Sequence, residues 1–440
     1  MKNFKRWPVI GVVAAVAAVA AVAAVAALAG CGGGGSDSSS SNASVRLVNA
    51  TLTHPSLDLL VNAAVGAAAT DADKASAYVT PAAGSVTLQI NDKGGTTSLA
   101  ALAPSLTGGN HYTVLAYESG GAVKSAILNE DFAAPAAGSA TLRLFDAAAE
   151  AGTLDVYVTA SACTSLTGVP TYSFTSPTTT NSVSLTQSPG TYNVCVTAQG
   201  DPTDLRMSQS ITLAALQIAT VVITPTVGGQ LINSALLVQQ GAYTAARNPN
   251  ARVRLAAAVS GGTTVSATTD AGIAIDSSRS PALGFYTLVP ATSKVNVTLG
   301  SGAAVTSPTT ALQQGGDATL LVYGDAASPK ATLLADDNRA PDTSNIKLRV
   351  INGLTGSTGA LTLTANGGSR VGVNVAQGAA SIYSLVRGSG ASTATAITFT
   401  LSSSTSGTFP NYTNTLTTGT TYTVLVGDGG GTAAPLLLIR

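Results

Sequence analysis

The chain has 440 residues, with 21 basic and 21 acidic side chains, 10% charged residues, 5% aromatics and 45% hydrophobic types. At roughly 100–200 residues per domain, this length accommodates two to four domains, each able to bury a core. Lys2, Lys5 and Arg6 lie in a segment that reads as removable; without residues 1–30 the balance is 18 basic against 21 acidic. A slightly acidic chain with no clustered basic footprint argues against nucleic acid as a partner. Two histidines and little clustered polar chemistry argue against an enzyme.

Residues 1–8 carry the three early positive charges, and Val9 to Ala29 is an unbroken run of apolar residues and Gly. A basic n-region, an apolar h-region and small residues before a cut form a secretion signal. Leu28-Ala29-Gly30-Cys31 resembles the lipobox of bacterial lipoproteins. The resemblance implies cleavage before Cys31, a diacylglyceryl thioether on its sulfur, and a palmitate-type acyl chain on the new amino terminus. An uncleaved anchor is the competing reading, since 21 apolar residues can span a bilayer, but it gives the cysteine no purpose. More than one acyl chain makes membrane attachment persistent. Gly32 stands where lipoproteins of the inner membrane often carry Asp, so the resemblance implies a lipid-anchored envelope protein at the outer membrane. After Cys31, residues 32–43 form a Gly/Ser-rich tether with nothing large enough to pack. With Ser44 its root-mean-square reach is about 20 Å.

The remainder reads as one β unit written four times. Opening strands recur as Val45-Arg46-Leu47-Val48-Asn49, Thr141-Leu142-Arg143-Leu144-Phe145, Arg252-Val253-Arg254-Leu255 and Lys347-Leu348-Arg349-Val350-Ile351-Asn352. Closing strands recur at 108–117, 315–325 and 419–428, and more weakly at 216–223. Between them the period is two, as in Val86, Leu88 and Ile90, in Leu154, Val156 and Val158, and in Val295, Val297 and Leu299. This pattern, rich in Val, Ile, Thr and Tyr, predicts half-buried antiparallel strands. The first copy holds seven such runs, near 45–50, 57–62, 75–79, 85–91, 97–103, 111–117 and 124–130. Seven short strands separated by turn signals predict an immunoglobulin-like β-sandwich. The Ala runs at 63–69 and 147–149 are too short to hold a helix.

The expected fold is therefore all-β: four tandem immunoglobulin-like antiparallel sandwiches over 44–132, 138–247, 250–338 and 343–440. Asp131 and Asp337 lie 206 residues apart, as do Arg143 and Arg349, which points to a duplicated two-domain unit. Short Pro-containing joints predict a semi-stiff string of domains.

The openings, the Leu-Asp-Val-Tyr-Val strand at 154–158, the run 189–198 and the closing Tyr-Thr-Val strands resemble the bacterial domain of unknown function 4397. The likeness is clearest over 44–245 and looser over 250–440, where the 154–158 motif becomes 264–267 and 361–364. It implies a sandwich fold and an extracytoplasmic setting, and it offers no catalytic residues to transfer.

Cys163 and Cys195 are the cysteines left once Cys31 is lipidated, and in an oxidising compartment they are expected to form a disulfide. Tyr192, Val194 and Val196 point inward by strand parity, so Cys195 points outward and the bridge pins the loop after 154–160 to that face. His54 and His111 have no second ligand at metal spacing and read as surface residues. Asp336, Asp337 and Asn338 are candidate calcium ligands, because Ca²⁺ takes several carboxylate and carbonyl oxygens from one loop. The competing account is that acids decorate solvated joints and discourage edge-to-edge strand pairing. No other cofactor is expected. Trp7 leaves with the signal, and Tyr78, Tyr112, Tyr117, Tyr157, Tyr286 and Tyr323 fall at positions that core packing explains. The expected function is non-enzymatic: adhesion, presentation or scaffolding toward protein partners at the cell surface. The alternative is a binding module for cell-wall or extracellular polysaccharide.

Overall fold

The structure is a computed structural model that describes residues 41–175, 182–300, 303–355, 359–404, 407–428 and 435–440. The expected signal, Cys31 and most of the expected tether lie outside the described residues. Strands dominate, and no α-helix occurs among the described residues. Four hydrophobic cores are built from residues between 43 and 127, 140 and 238, 251 and 333, and 346 and 439. Each lies between two sheets, so each is a β-sandwich. In the first, one sheet runs Ala122–Asn129, His111–Ser119, Ser44–Asn49, Lys74–Ala75, and the other runs Ala64–Asp71, Ser56–Val61, Leu88–Asp92, Ser98–Leu102.

The predicted alternation appears as built: Val86, Leu88 and Ile90 are buried in the first core, and Val194 and Val196 in the second. A fully buried Val or Leu contributes about 1.5–3 kcal/mol relative to an exposed one. One feature of the pairing differs from an all-antiparallel sandwich. The opening strand runs parallel to the closing strand in every copy: Arg46 is registered with Thr113, Arg143 with Thr220, Arg254 with Thr319 and Arg349 with Thr423. A parallel pair needs a long crossover connection. Here the crossover includes the second sheet, and alternation within a strand carries no information on its partner's direction.

The Ala run at 63–69 holds no helix, as expected, but it forms a strand that the sequence pattern did not mark. Ala64–Asp71 is an edge strand paired with Ser56–Val61. Asn62 and Ala63, with φ of 50° and 67°, close the hairpin through the left-handed region that tight two-residue turns require. Alanine has little preference for strands, so this element comes from the turn and its neighbour.

The opening strands explain why their own alternation is poor. Leu47, Leu144, Leu255 and Leu348 enter the four cores. Val48 and Phe145 face the other way and meet each other in a fifth cluster, with Leu115, Tyr117, Leu128, Val222 and Leu237. Ala256, Ala258, Leu321, Ile351 and Leu425 form a sixth. Sandwiches one and two therefore share a buried interface, and so do three and four. In place of the semi-stiff string expected from the joints, the sandwiches pack face to face in pairs.

Candidate functional site

An arginine occupies the same outward-facing position in each opening strand. Arg46, Arg143, Arg254 and Arg349 are all buried, because a neighbouring sandwich covers that sheet face. A buried guanidinium needs partners, and the fold supplies several of them from fixed register positions. The threonine opposite it on the parallel strand accepts from Nε: 2.8 Å for Arg46 to Thr113, 2.9 Å for Arg254 to Thr319 and 3.1 Å for Arg349 to Thr423. An aromatic ring lies against the guanidinium, namely Tyr78 for Arg46, Tyr286 for Arg254 and Tyr383 for Arg349. Arg143 instead lies 3.8 Å from the ring of Phe132, contributed by the joint. Tyr78 and Tyr286 are thus interface residues rather than the core residues the pattern predicts.

The final strand of the odd-numbered sandwiches delivers an acid. Glu130 accepts from Arg46 Nε and Nη2 at 3.1 and 2.7 Å, a two-point pairing. Asp336 accepts from Arg349 Nη2, from the Tyr286 hydroxyl and, at 2.6 Å, from the Thr319 hydroxyl, with Arg254 Nε 3.8 Å away. Burial and the Asp336 charge push the Tyr286 hydroxyl well above the usual phenol range. Burial pushes Tyr383 up to about 12.

The three joint residues read as calcium ligands serve three different partners. Asp336 faces the two guanidiniums. Asp337 accepts from Arg339 Nε at 2.8 Å and lies 2.9 Å from Lys347 Nζ. Burial opposes ionisation of Asp337, yet these two cations hold its carboxyl below the usual range. Asn338 donates from Nδ2 to Asp317 at 2.7 Å. The positive charge these acids meet is the chain's own. Among the described residues, no group of three or more His, Cys, Asp and Glu side chains is arranged to hold a metal ion.

The same joint receives the hairpin tip of the second sandwich. Gly228 O accepts from Asn338 N at 2.9 Å, and Gly228 N donates to Gly315 O at 3.2 Å. A Cβ on Gly228 would lie 2.7 Å from Asp317 N, and one on Gly229 would lie 2.4 Å from Arg339 Cγ. Only glycine permits this approach.

Two clefts flank the joint. The larger, about 910 Å³, is lined by Glu150, Asp337, Arg339, Lys347 and the exposed Ile382 and Leu385. The smaller, about 510 Å³, is lined by Arg252, Arg254, Tyr286, Gln230, Thr421 and Arg440. Glu150 reaches both; it accepts from Gly120 N, and burial raises its carboxyl above the usual range despite that bond. Next to Tyr286, Phe285 is 73% exposed, with the Arg440 guanidinium 3.5 Å from its ring centre.

The disulfide joins Cys163 to Cys195 with a Cα separation of 5.6 Å. Cys195 lies in strand Gly190–Ala198, between the core residues Val194 and Val196 and so on the opposite face, as parity requires. His54 and His111 do not meet; each pairs through Nδ1 with an acid, Asp92 at 2.7 Å and Asp131 at 3.2 Å.

Residues 43–157 match the family model described as Domain of unknown function (DUF4397). The chain resembles this family across its first sandwich and the opening of the second. The match is shorter than the 44–245 expected from the motifs, and it includes Arg46, Thr113, Glu130 and Arg143. No curated protein matches the chain. Among solved structures, the product complex of a multi-modular glycogen-degrading pneumococcal virulence factor, SpuA, aligns at 8% identity with a TM-score of 0.15. The alignment covers 83% of this chain and 37% of that one, so the chain spans little more than a third of its length.

The sequence reading missed the four arginines as a set and missed Phe285. The first had a visible signal: a charged residue at one position of four otherwise apolar strands. Phe285 had none, because exposure of an aromatic residue depends on tertiary neighbours.

Proposed function

We propose that the protein is a non-enzymatic, lipid-anchored envelope protein that holds β-sandwich surfaces away from the outer membrane for adhesion, presentation or scaffolding. The observation that carries this reading is the pairing of sandwiches through buried faces. Gln240 N with Glu130, Arg46 with Gly241 O, and Arg349 with Asp336 tie those faces together. Such pairing gives partners a fixed surface and lowers the ordering cost of binding. The lipobox and tether supply the anchor. The reading is tested in intact cells by labelling with a clickable palmitate analogue and by external protease. The native protein is expected to incorporate label and be shaved from the surface. Cys31→Ala is expected to lose the label and the membrane fraction. Labelling unchanged in Cys31→Ala, or complete protection from protease, contradicts the reading.

A second reading, a polysaccharide-binding module, is favoured by the exposed Phe285 beside a cleft rich in guanidinium groups. A glycan array separates the two, with saturable binding to one glycan class supporting the module.

A further inference from the structure

Arg254 and Arg349 share one carboxylate, that of Asp336, and Arg349 holds the closer contact. One positive charge in this buried group is therefore left without a counter-charge. Arg254 is 2% exposed, and its Nη2 has no hydrogen-bond partner. A buried polar group without a partner calls for an explanation. Arg254 lines the smaller cleft, where Arg440 brings a second such charge. Arg440 Nη1 donates to Leu283 O at 2.9 Å, and among the described residues no carboxylate pairs with it. The third guanidinium in the cleft, Arg252, is neutralised by Asp317 at 2.8 and 2.6 Å. Glu150 is the one acidic side chain in the lining. The cleft's other lining groups are mainly amides and hydroxyls, such as Gln230 and Thr421, which suit a ligand rich in hydroxyl groups. Phe285 lies beside the cleft with its ring exposed, and a flat apolar ring can cover the C–H face of a pyranose.

We infer that this cleft binds a carboxylate-bearing oligosaccharide: a uronate carboxylate accepts from the exposed Arg440, the buried charge of Arg254 lies behind it, and an adjoining sugar ring rests on Phe285. The inference deepens the polysaccharide-binding reading and depends on it.

The test is calorimetric titration of the mature chain, residues 31–440, with four probes: trigalacturonate, a hyaluronan tetrasaccharide, maltotriose and inorganic phosphate. Saturable binding of at least one uronate probe is expected, with neither maltotriose nor phosphate binding comparably. Arg440→Gln and Phe285→Ala alter exposed side chains, and each is expected to weaken uronate binding about fivefold or more with the melting temperature unchanged. Lys93→Gln, an exposed charge on the first sandwich, is expected to leave it unchanged. Failure of both uronates to bind overturns the inference, as does equal affinity for maltotriose or phosphate. Uronate binding at full strength in both Arg440→Gln and Phe285→Ala overturns this site while leaving the module reading in place. A glycan array with no saturable binding overturns both.

Discussion

The two pairs of sandwiches bury the same sheet face by different chemistry. In the first pair the contact is bulky and apolar, with Phe145, Leu115, Tyr117 and Leu128 packed together. Its acid, Glu130, is taken by Arg46 and by the backbone of Gln240 at 2.5 Å. Arg46 also donates to Gly241 O at 2.6 Å across the interface. In the second pair the apolar residues are smaller and the approach closer: a Cβ on Gly353 would lie 2.5 Å from Ala258 Cβ. Asp336, one methylene shorter than Glu130, sits between guanidiniums from both sandwiches. Asn338 stands where the first pair has Phe132, and it bonds Asp317 instead of covering an arginine. Position is shared between the pairs, whereas the source of adhesion shifts from apolar area to charge. A buried ion group rarely adds net stability over an apolar one, but breaking it is costly. The second pair should therefore be the more sensitive to loss of its acid.

Asp336→Ala is expected to cost about 3–5 kcal/mol, because it leaves two guanidiniums buried without a carboxylate. Glu130→Ala, which leaves one, is expected to cost about 2–3 kcal/mol. Hydrogen exchange in strands Asp317–Gly324 and His111–Ser119 reads the two effects separately; equal losses would erase the distinction between the pairs. Removing the disulfide with Cys163→Ser and Cys195→Ser is expected to destabilise only the second sandwich, by about 3–4 kcal/mol for a loop of 32 residues. Exchange confined to Gly190–Ala198 and its neighbours would show this.

Asp146 offers a smaller test. Burial pushes its carboxyl up to about 6. Oδ1 accepts from Ala148 N at 2.8 Å, while Oδ2 has no partner. Asn49 and Asn352, at the same place in the first and fourth sandwiches, accept the same i+2 bond and also donate to backbone carbonyls. The folded state holds a proton that the unfolded chain releases near pH 4. The contribution of this group is thus complete below about pH 4 and lost as pH rises through 6. Asp146→Asn is expected to stabilise the second sandwich by about 2–3 kcal/mol at pH 7 and by nothing at pH 3.5. A gain independent of pH would contradict the assignment. The smallest effect belongs to calcium: with Asp336, Asp337 and Asn338 each committed to another partner, Ca²⁺ against EDTA is expected to leave the melting temperature unchanged. A rise of several degrees would return these residues to a metal site.

Much of the fold is legible in the sequence because period two marks which side of a strand is buried. The repeated openings, the inward Val194 and Val196 and the outward Cys195 follow from parity alone. What parity omits is the identity of whatever covers the second face. Arg46 and Arg349 look like solvent-facing charges until a neighbouring sandwich is laid over them. Ala64–Asp71 was hidden for a local reason, since its strand depends on a hairpin turn and a partner rather than on its own residues. The candidate cleft was not legible, because it is assembled from residues as far apart as Glu150 and Arg440.

The central claim is that a shared buried acid couples the sandwiches of the second pair. A double-mutant cycle between Arg349→Met and Asp336→Ala tests it most directly, read as the local opening free energy of Asp317–Gly324 and Thr421–Asp428. The account predicts a coupling of about 2–3 kcal/mol felt in both strands. Effects that add to within about 0.5 kcal/mol, or that stay within one sandwich, would contradict it.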